Sequence, residues 1–266
     1  NARALSVALN VRTGVSNFTT EFTTVFNIDC LPGFFTVDGE GRQVRFSRGN
    51  IQATYNSGTY TCGFASNQYD YIGEAAGNTT IDSQTDGAVV DLFGWSTAST
   101  TYGISTSEDA SDYSGDFYDW GKAVGDGSTW RTLSITEWKY LFNDRTMENS
   151  GDSYENLTSS GITVEGVTFK GVVLFPDNFT DQTDWKTKYT TWEALNAAGI
   201  VFLPAAGARE GSAVSDVGSF GFYWSSAAKD NNSAYRVYFN GGDIFFDFSS
   251  SYYKGLSVRL VTDVEK

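Results

Sequence analysis

Four pairs of carboxylates stand close enough in the chain to do acid–base chemistry or to hold a hard cation: Glu108 with Asp109, Asp116 with Asp119, Asp181 with Asp184, and Asp243 with Asp247. A glycosidase needs two carboxyls held at a fixed separation across a cleft, which spacing along a chain does not provide. Among 32 acidic residues such neighbours also arise by number alone, so solvated surface carboxylates are the simpler account and catalytic residues are expected to be none. The chain has no histidine, which removes Ser-His-Asp and Cys-His nucleophile systems and the ordinary zinc arrangements. Oxygen ligands for calcium are plentiful in Asp- and Asn-rich stretches, but no EF-hand spacing occurs, so no metal or other cofactor is expected and calcium stays an open alternative. Cys30 and Cys62 permit one disulfide or stand as two buried thiols.

The residues best suited to chemistry of another kind lie in the last fifth of the chain. Gly221-Phe222-Tyr223-Trp224-Ser225-Ser226 and Gly255-Leu256-Ser257-Val258-Arg259-Leu260-Val261 read as two strand ends enclosing small polar and aromatic residues. The candidate ligand-binding set over 222–254 is Phe222, Tyr223, Lys229, Asp230, Asn231, Asn232, Tyr235, Arg236, Asp243, Phe245, Asp247, Ser249, Tyr252, Tyr253 and Lys254. Aromatic side chains offer rigid contact area at small entropic loss, and Asn, Ser and Gly adapt their hydrogen bonds, the division of labour found in antibody loops. Recognition is therefore the first expectation and catalysis the second.

The elements that would carry this set are mostly short strands. Segments 222–226, 234–239 and 243–248 read as three antiparallel strands, followed by a closing strand at 256–262. Period-two alternation puts Ile244, Phe246 and Phe248 on the core face and Asp243, Phe245, Asp247 and Ser249 on the solvent face, leaving Phe245 exposed among acids. Upstream, Phe34–Val37 and Val44–Ser47 flank a Gly-rich turn, Thr59–Phe64 leads into Asn67–Gly73, and further strands are expected at Ile162–Val164, Val167–Phe175 and Ile200–Leu203. A long stretch at 74–129 has little periodicity and carries anchors at Phe93, Trp95, Tyr102, Tyr118 and Trp120. Ser134 with Glu137 forms a capping box ahead of Trp138, Leu141 and Phe142, and a second helix begins at Thr190 or Thr191, with Glu193 in its first turn and Gly199 at its end. Residues 1–32, with β-type stretches at Leu5–Val11 and Phe22–Phe26, form a β appendage or the remnant of a preceding domain, and 33–266 form the main domain. Trp130, Trp138 and Trp224 are assigned to the core, Glu137 to its cap, and Arg131 and Arg259 to pinning loops.

A formal charge of −14 with no local Lys/Arg cluster excludes nucleic acid as a partner, while 40% hydrophobic and 16% aromatic content requires a folded core. Abundant Gly, Tyr, Phe, Ser, Thr and Asn with scarce Lys and Arg accords with an extracellular or outer-membrane surface protein. No run approaches the length of a transmembrane helix, and residues 1–9 are too short for an intact signal peptide. An exported form would be processed, with any lipoprotein signal and anchor absent from this chain.

Trp130-Arg131-Thr132-Leu133-Ser134-Ile135-Thr136-Glu137-Trp138-Lys139-Tyr140, Leu203-Pro204-Ala205-Ala206-Gly207-Ala208-Arg209, and the two C-terminal segments above, with Gly255 and Arg259 among their residues, together resemble the Fibrobacter succinogenes major paralogous domain family of Bacteroidetes. Val44-x-Phe46-Ser47-x-Gly49-Asn50, Asn67–Gly73 and Asp91-Leu92-Phe93-Gly94-Trp95 extend the resemblance over residues 33 to 262. That family is similar to formylglycine-generating and sulfatase-modifying proteins, which implies an α+β, C-type lectin-like fold: an antiparallel core sheet, two helices and long packed loops. The enzymes of that group rely on a cysteine pair near the C-terminal core, and this chain has no cysteine after Cys62, so their chemistry is not expected. The same fold carries the variable proteins of diversity-generating retroelements, and 222–254 looks like such a variable region. The resemblance thus implies a secreted or cell-surface binding protein for a protein or glycan target on another cell, phage or host. A glycan-active enzyme and a structural subunit or adhesin of a surface fibre are the alternatives, and the sequence does not fix the oligomeric state.

Overall fold

Ser134 starts the principal helix as its residue types dictate. In a computed structural model that describes residues 7–8, 21–22, 30–95, 103–113, 115–124, 129–147 and 151–264, Glu137 N donates to Ser134 Oγ (3.3 Å) and Ser134 N to Glu137 Oε2 (2.7 Å), closing the capping box. The helix Ile135–Lys139 runs on into a π-helical turn at Tyr140–Asp144. Trp138, Leu141 and Phe142 bury against Phe35, Phe46, Tyr223, Val237, Phe239 and Val261, the largest of three apolar clusters.

The fold is mixed α+β, with mostly antiparallel sheets and few helices. One four-stranded sheet has the order Phe35–Thr36, Gln43–Phe46, Leu260–Asp263, Trp130–Thr132, so the C-terminal strand lies between strands from two earlier parts of the chain. A second sheet is the C-terminal meander, Gly221–Ala228, Ser233–Phe239 and Ile244–Ser251. Between the two, residues 255–257 run through single bridges, Gly255 to Arg209, Leu256 to Phe93 and Ser257 to Tyr223, and regular pairing resumes only at Leu260. The closing strand therefore begins later than the alternation at 256–262 predicts, because its first residues are shared among three partners.

One other expectation is corrected, and one choice between two caps is decided. The apolar run Val167–Phe175 is two strands, Val167–Phe169 in a hairpin with Ile162–Val164 and Gly171–Leu174 in a sheet with Val201–Pro204, because the chain changes sheets at Lys170. The second helix is capped by Thr191, whose hydroxyl accepts from Ala194 N, and it spans Trp192–Ala197. At the N-terminus Val7–Ala8 pairs with Glu21–Phe22, and the rest of the two predicted stretches lies outside the described residues. In the long 74–129 stretch, Phe93, Trp95 and Trp120 are buried anchors, Tyr118 is half-buried, and Tyr102 lies outside the described residues.

That stretch is fixed by a buried carboxylate. Asp91 accepts from Ile72 N and from Asn78 Nδ2 (each 2.7 Å), and Asn78 Oδ1 accepts in return from Asp91 N (3.1 Å). Burial pushes the Asp91 carboxyl up to about 6 against the opposing pull of these hydrogen bonds. The folded chain thus holds this proton more tightly than the unfolded one. The group's contribution to stability falls as pH rises from about 4 to about 6 and is constant above, a change of about 3 kcal/mol at about 1.4 kcal/mol per pKa unit. Carboxyl-carbon NMR is expected to show Asp91 titrating near pH 6, whereas a midpoint near 4 would mean that water reaches it.

Candidate functional site

The meander presents two unlike faces. Tyr223, Val237, Phe239 and Phe246 point into the cluster under the Ser134-capped helix. On the other face Trp224 and Ala234 are covered by the second cluster, while Phe222, Tyr238, Phe245 and Phe248 are left half-buried or exposed. The register sets Phe222 opposite Tyr238 and Tyr238 opposite Phe245, so three strands contribute one ring each to a continuous row. Tyr238 stacks on Phe245 (centroids 4.5 Å apart), Phe248 meets both edge-on (5.3 and 5.7 Å), and Phe220 stacks on Phe222 (5.7 Å).

A bulge makes this row. Arg236 pairs with Phe248 and Tyr238 with Phe245, so the middle strand advances two residues while the last advances three. The extra residue shifts the alternation, which puts Phe248 on the same side as Phe245 and leaves Phe246 in the core. Uniform alternation had assigned Phe248 to the core. It is 47% exposed, one of three large apolar side chains exposed among the described residues.

Arg236 lies across the middle of the row, its guanidinium carbon 4.8 Å from the centroid of Phe222 and 4.5 Å from that of Tyr238. Its Nε donates to Ser250 Oγ (2.6 Å), and its Nη1 is buried with no hydrogen-bond partner. Burial pulls its pKa down to about 10, so the cation persists at neutral pH. Such a group, held by ring faces with donors unused, is attractive to an acceptor on a ligand that reorganises the rings. Asp243 is exposed in the turn before the last strand, while Asp247 is exposed and paired with Lys139 (2.7 Å) of the helix that packs on the opposite face.

No family model, curated protein or solved structure matches the chain.

Of the predicted ligand-binding set, the structure brings Phe222, Arg236 and Phe245 together, with Asp243 in the turn beside them, while Asp247 is directed to Lys139 on the other face. Two members are corrected. Tyr223 is fully buried, donating its hydroxyl to Pro204 O (3.0 Å), because it sits on the opposite face from Phe222. Tyr252 is 2% exposed, stacks on Trp95 (4.7 Å) and donates to Asp230 O (2.6 Å). Lys229, Asp230, Asn231 and Asn232 are exposed but occupy the far turn, six residues along the first strand from Phe222, about 20 Å at about 3.3 Å per residue. There the Asn232 amide donates to Asp230 Oδ1 (2.9 Å) and holds that carboxyl below its usual range. Half-buried Tyr235 faces Ser249 across the strands near that end. Tyr253 and Lys254 turn away to Glu210, which Lys254 pairs with and the Tyr253 hydroxyl approaches at 3.4 Å. Segment 222–254 is thus three separate surfaces.

Sequence reasoning missed Phe220, Tyr238 and Phe248. Phe220 sits two residues before Phe222, a spacing that alternation could have flagged, and Tyr238 follows once strand register is known. Nothing local announces the bulge that turns Phe248 outward.

The remaining assignments have local explanations. Arg131 makes two bonds to Glu137 (3.0 and 2.8 Å) and reaches Asp263 (2.7 Å). Arg259 is fully buried and donates to Gln68 Oε1 (3.2 Å) and Arg48 O (3.3 Å). Trp130, Trp138 and Trp224 are buried. Gly255 lies flat against Arg209, where a Cβ would meet Arg209 Cβ and Nε at 2.9 Å. No disulfide joins Cys30 to Cys62, and burial pushes the Cys62 thiol up to about 11. The acidic pairs largely serve neighbouring groups: Asp119 accepts from Thr132 N (3.0 Å), Asp181 pairs with Lys188, and Asp109 accepts from Ser111 N (2.9 Å). Among the described residues no three His, Cys, Asp or Glu side chains gather as a metal site, and no helix is long and apolar enough to cross a membrane.

Proposed function

We propose that this is a non-catalytic recognition protein of C-type lectin-like fold, exported to the cell surface or beyond, whose ligand contacts the aromatic row of the C-terminal meander. The observation that carries this reading is the open row of Phe222, Tyr238, Phe245 and Phe248 around the incompletely bonded Arg236. Aromatic and arginine side chains dominate binding energy where they are desolvated, and flanking charges set orientation and encounter rate. The antiparallel sheets, the capped helix against the meander and the long pinned loops support the fold assignment, together with the motif resemblance over residues 33 to 262. The target is a protein or glycan on another cell, phage or host.

Phe248→Ala and Phe245→Ala are expected to weaken retention on the target surface by about tenfold or more each, the effect of removing an interface anchor. Their thermal midpoints should stay near that of the parent, because both side chains lie on the open face. Undiminished binding by both variants would take the row out of the reading. Retroelement diversification has its own signature in deep sequencing of the gene from many cells. Substitutions are expected at codons for exposed or half-buried residues such as Phe222, Asn231, Tyr235, Arg236 and Phe245, with Tyr223, Trp224 and Tyr252 constant. Uniform constancy would leave a binder of fixed specificity.

A further inference from the structure

Apart from Phe248, the large apolar side chains exposed among the described residues are Tyr71, at 37%, and Val167, at 55%. Tyr71 lines a cleft of about 300 Å³ together with Tyr69, Thr168, Phe169 and Lys170, and Val167 adjoins it in the hairpin that carries Thr168 and Phe169. The cleft shares no residue with the meander's aromatic row, so it does not depend on the function proposed for that row.

Its walls are held more firmly than a surface loop requires. Gln68 donates to Asn196 Oδ1 (2.7 Å) and Ile200 O (2.9 Å) and accepts from Phe202 N (2.7 Å). Asp70 accepts from Asn67 N (2.9 Å), and Ile72 N is fixed by buried Asp91. Tyr69 packs between Phe169 (4.8 Å) and Trp192 (4.5 Å). The Asn67–Gly73 segment is therefore tied at alternate positions, 68, 70 and 72, which fixes the backbone that presents Tyr69 and Tyr71. A preformed wall of this kind spares a ligand the entropic loss of ordering it.

Lys170 is the one charged residue lining the cleft, it is exposed, and it takes part in none of the ion pairs found among the described residues. It is placed there because the chain changes sheets at that point, between Val167–Phe169 and Gly171–Leu174, with its carbonyl accepting from Ala205 N (2.9 Å). An unpaired cation beside aromatic walls suits an anion borne on a ring. The volume stands at the lower end of the range for small-molecule sites, about 300–1,000 Å³, which fits one ring rather than a chain of them.

We infer that the Tyr69–Tyr71–Lys170 cleft binds a single ring bearing a carboxylate, with the ring against the tyrosines and the carboxylate on the Lys170 ammonium. A sugar acid and an aromatic acid share this chemistry.

The test is an amide NMR titration of the whole chain with glucuronate, benzoate and neutral glucose. Saturable shifts at residues 69–71, 168–170 and 218 are expected with at least one acid. A response to glucuronate alone identifies a sugar-acid site, a response to benzoate alone an aromatic-acid site, and a response to both a site for the shared chemistry. Glucose should bind more weakly than the responding acid, and Lys170→Ala should weaken that acid by up to about fivefold, the upper end for an exposed ion pair, without disturbing the spectrum elsewhere. The inference is overturned if neither acid gives saturable shifts at these amides, if glucose binds as well as the acids, or if Lys170→Ala binds the acid as tightly as the parent.

Discussion

Replacing Trp224 by Ala is expected to remove about 5 kcal/mol of stability, enough to unfold a domain of ordinary stability at 25 °C. The indole is fully buried within the second apolar cluster, and its Nε1 donates to Phe93 O (2.7 Å). Truncating a large buried aromatic costs about 3–5 kcal/mol, and losing the indole hydrogen bond adds about 1 kcal/mol, because the Phe93 carbonyl keeps the Leu256 N–H (2.9 Å). The phenylalanine variant separates these contributions, since it keeps most of the apolar contact and loses only the indole hydrogen bond to the Phe93 carbonyl. Urea unfolding should therefore rank parent, Trp224→Phe and Trp224→Ala in that order. An alanine variant within about 1 kcal/mol of the parent would show that the meander does not depend on this contact. Because Trp224 is the cross-strand neighbour of Arg236, partial loosening here should also disturb the aromatic row on the same face.

Arg209→Ala is expected to be nearly as damaging, for a different reason. The side chain is fully buried, and its guanidinium donates to three main-chain carbonyls from separate segments, Leu92 (3.2 Å), Ser105 (2.8 Å) and Gly211 (2.8 Å). Burial lowers its pKa, yet neutral oxygens are what it has been given. Alanine takes a donor from each of the three carbonyls, of which, among the described residues, only that of Ser105 keeps another side-chain partner, the Tyr113 hydroxyl (3.3 Å). It also leaves a cavity, for a loss of about 3–5 kcal/mol. Lysine should rescue little, because one ammonium on a flexible stem cannot replace a planar fork reaching three directions. Methionine keeps the apolar stem, so the difference between Arg209→Met and Arg209→Ala measures packing alone. Thermal unfolding of the three variants checks this, and a lysine variant as stable as the parent would show that geometry at the three carbonyls is unimportant.

What could be read from the chain was what local chemistry decides. Ser134 and Glu137 cap a helix because a hydroxyl and a carboxylate three residues apart satisfy each other's amides, whatever the rest of the molecule does. The three strands of the meander were legible from their turns and aromatic content. Which side each aromatic takes was less so: Phe222 and Tyr223 are chemically alike, and only the packing of one face on the Ser134-capped helix consigns Tyr223 to the core. The bulge opposite Val237 lies further from view, because it is set by pairing with another strand. The break at Lys170 was hidden inside an apolar run, since both flanking strands are β-rich and only their partners differ.

The place of Leu260–Asp263 in the middle of its sheet has a consequence for how the molecule comes into being. Val261 sits between Phe46 and Arg131, so contacts spanning most of the chain's length must form before that sheet is complete. Pairings so distant in sequence are slow to find, since a long loop must close before any contact rewards it. A nascent chain emerging from the ribosome cannot close this sheet until its final strand has appeared. Until then the edges of Gln43–Phe46 and Trp130–Thr132 lack their shared partner, and open strand edges invite association with other chains. Closure of this sheet thereby waits on Leu260–Asp263, and the interval before they pair is when those two edges stand open.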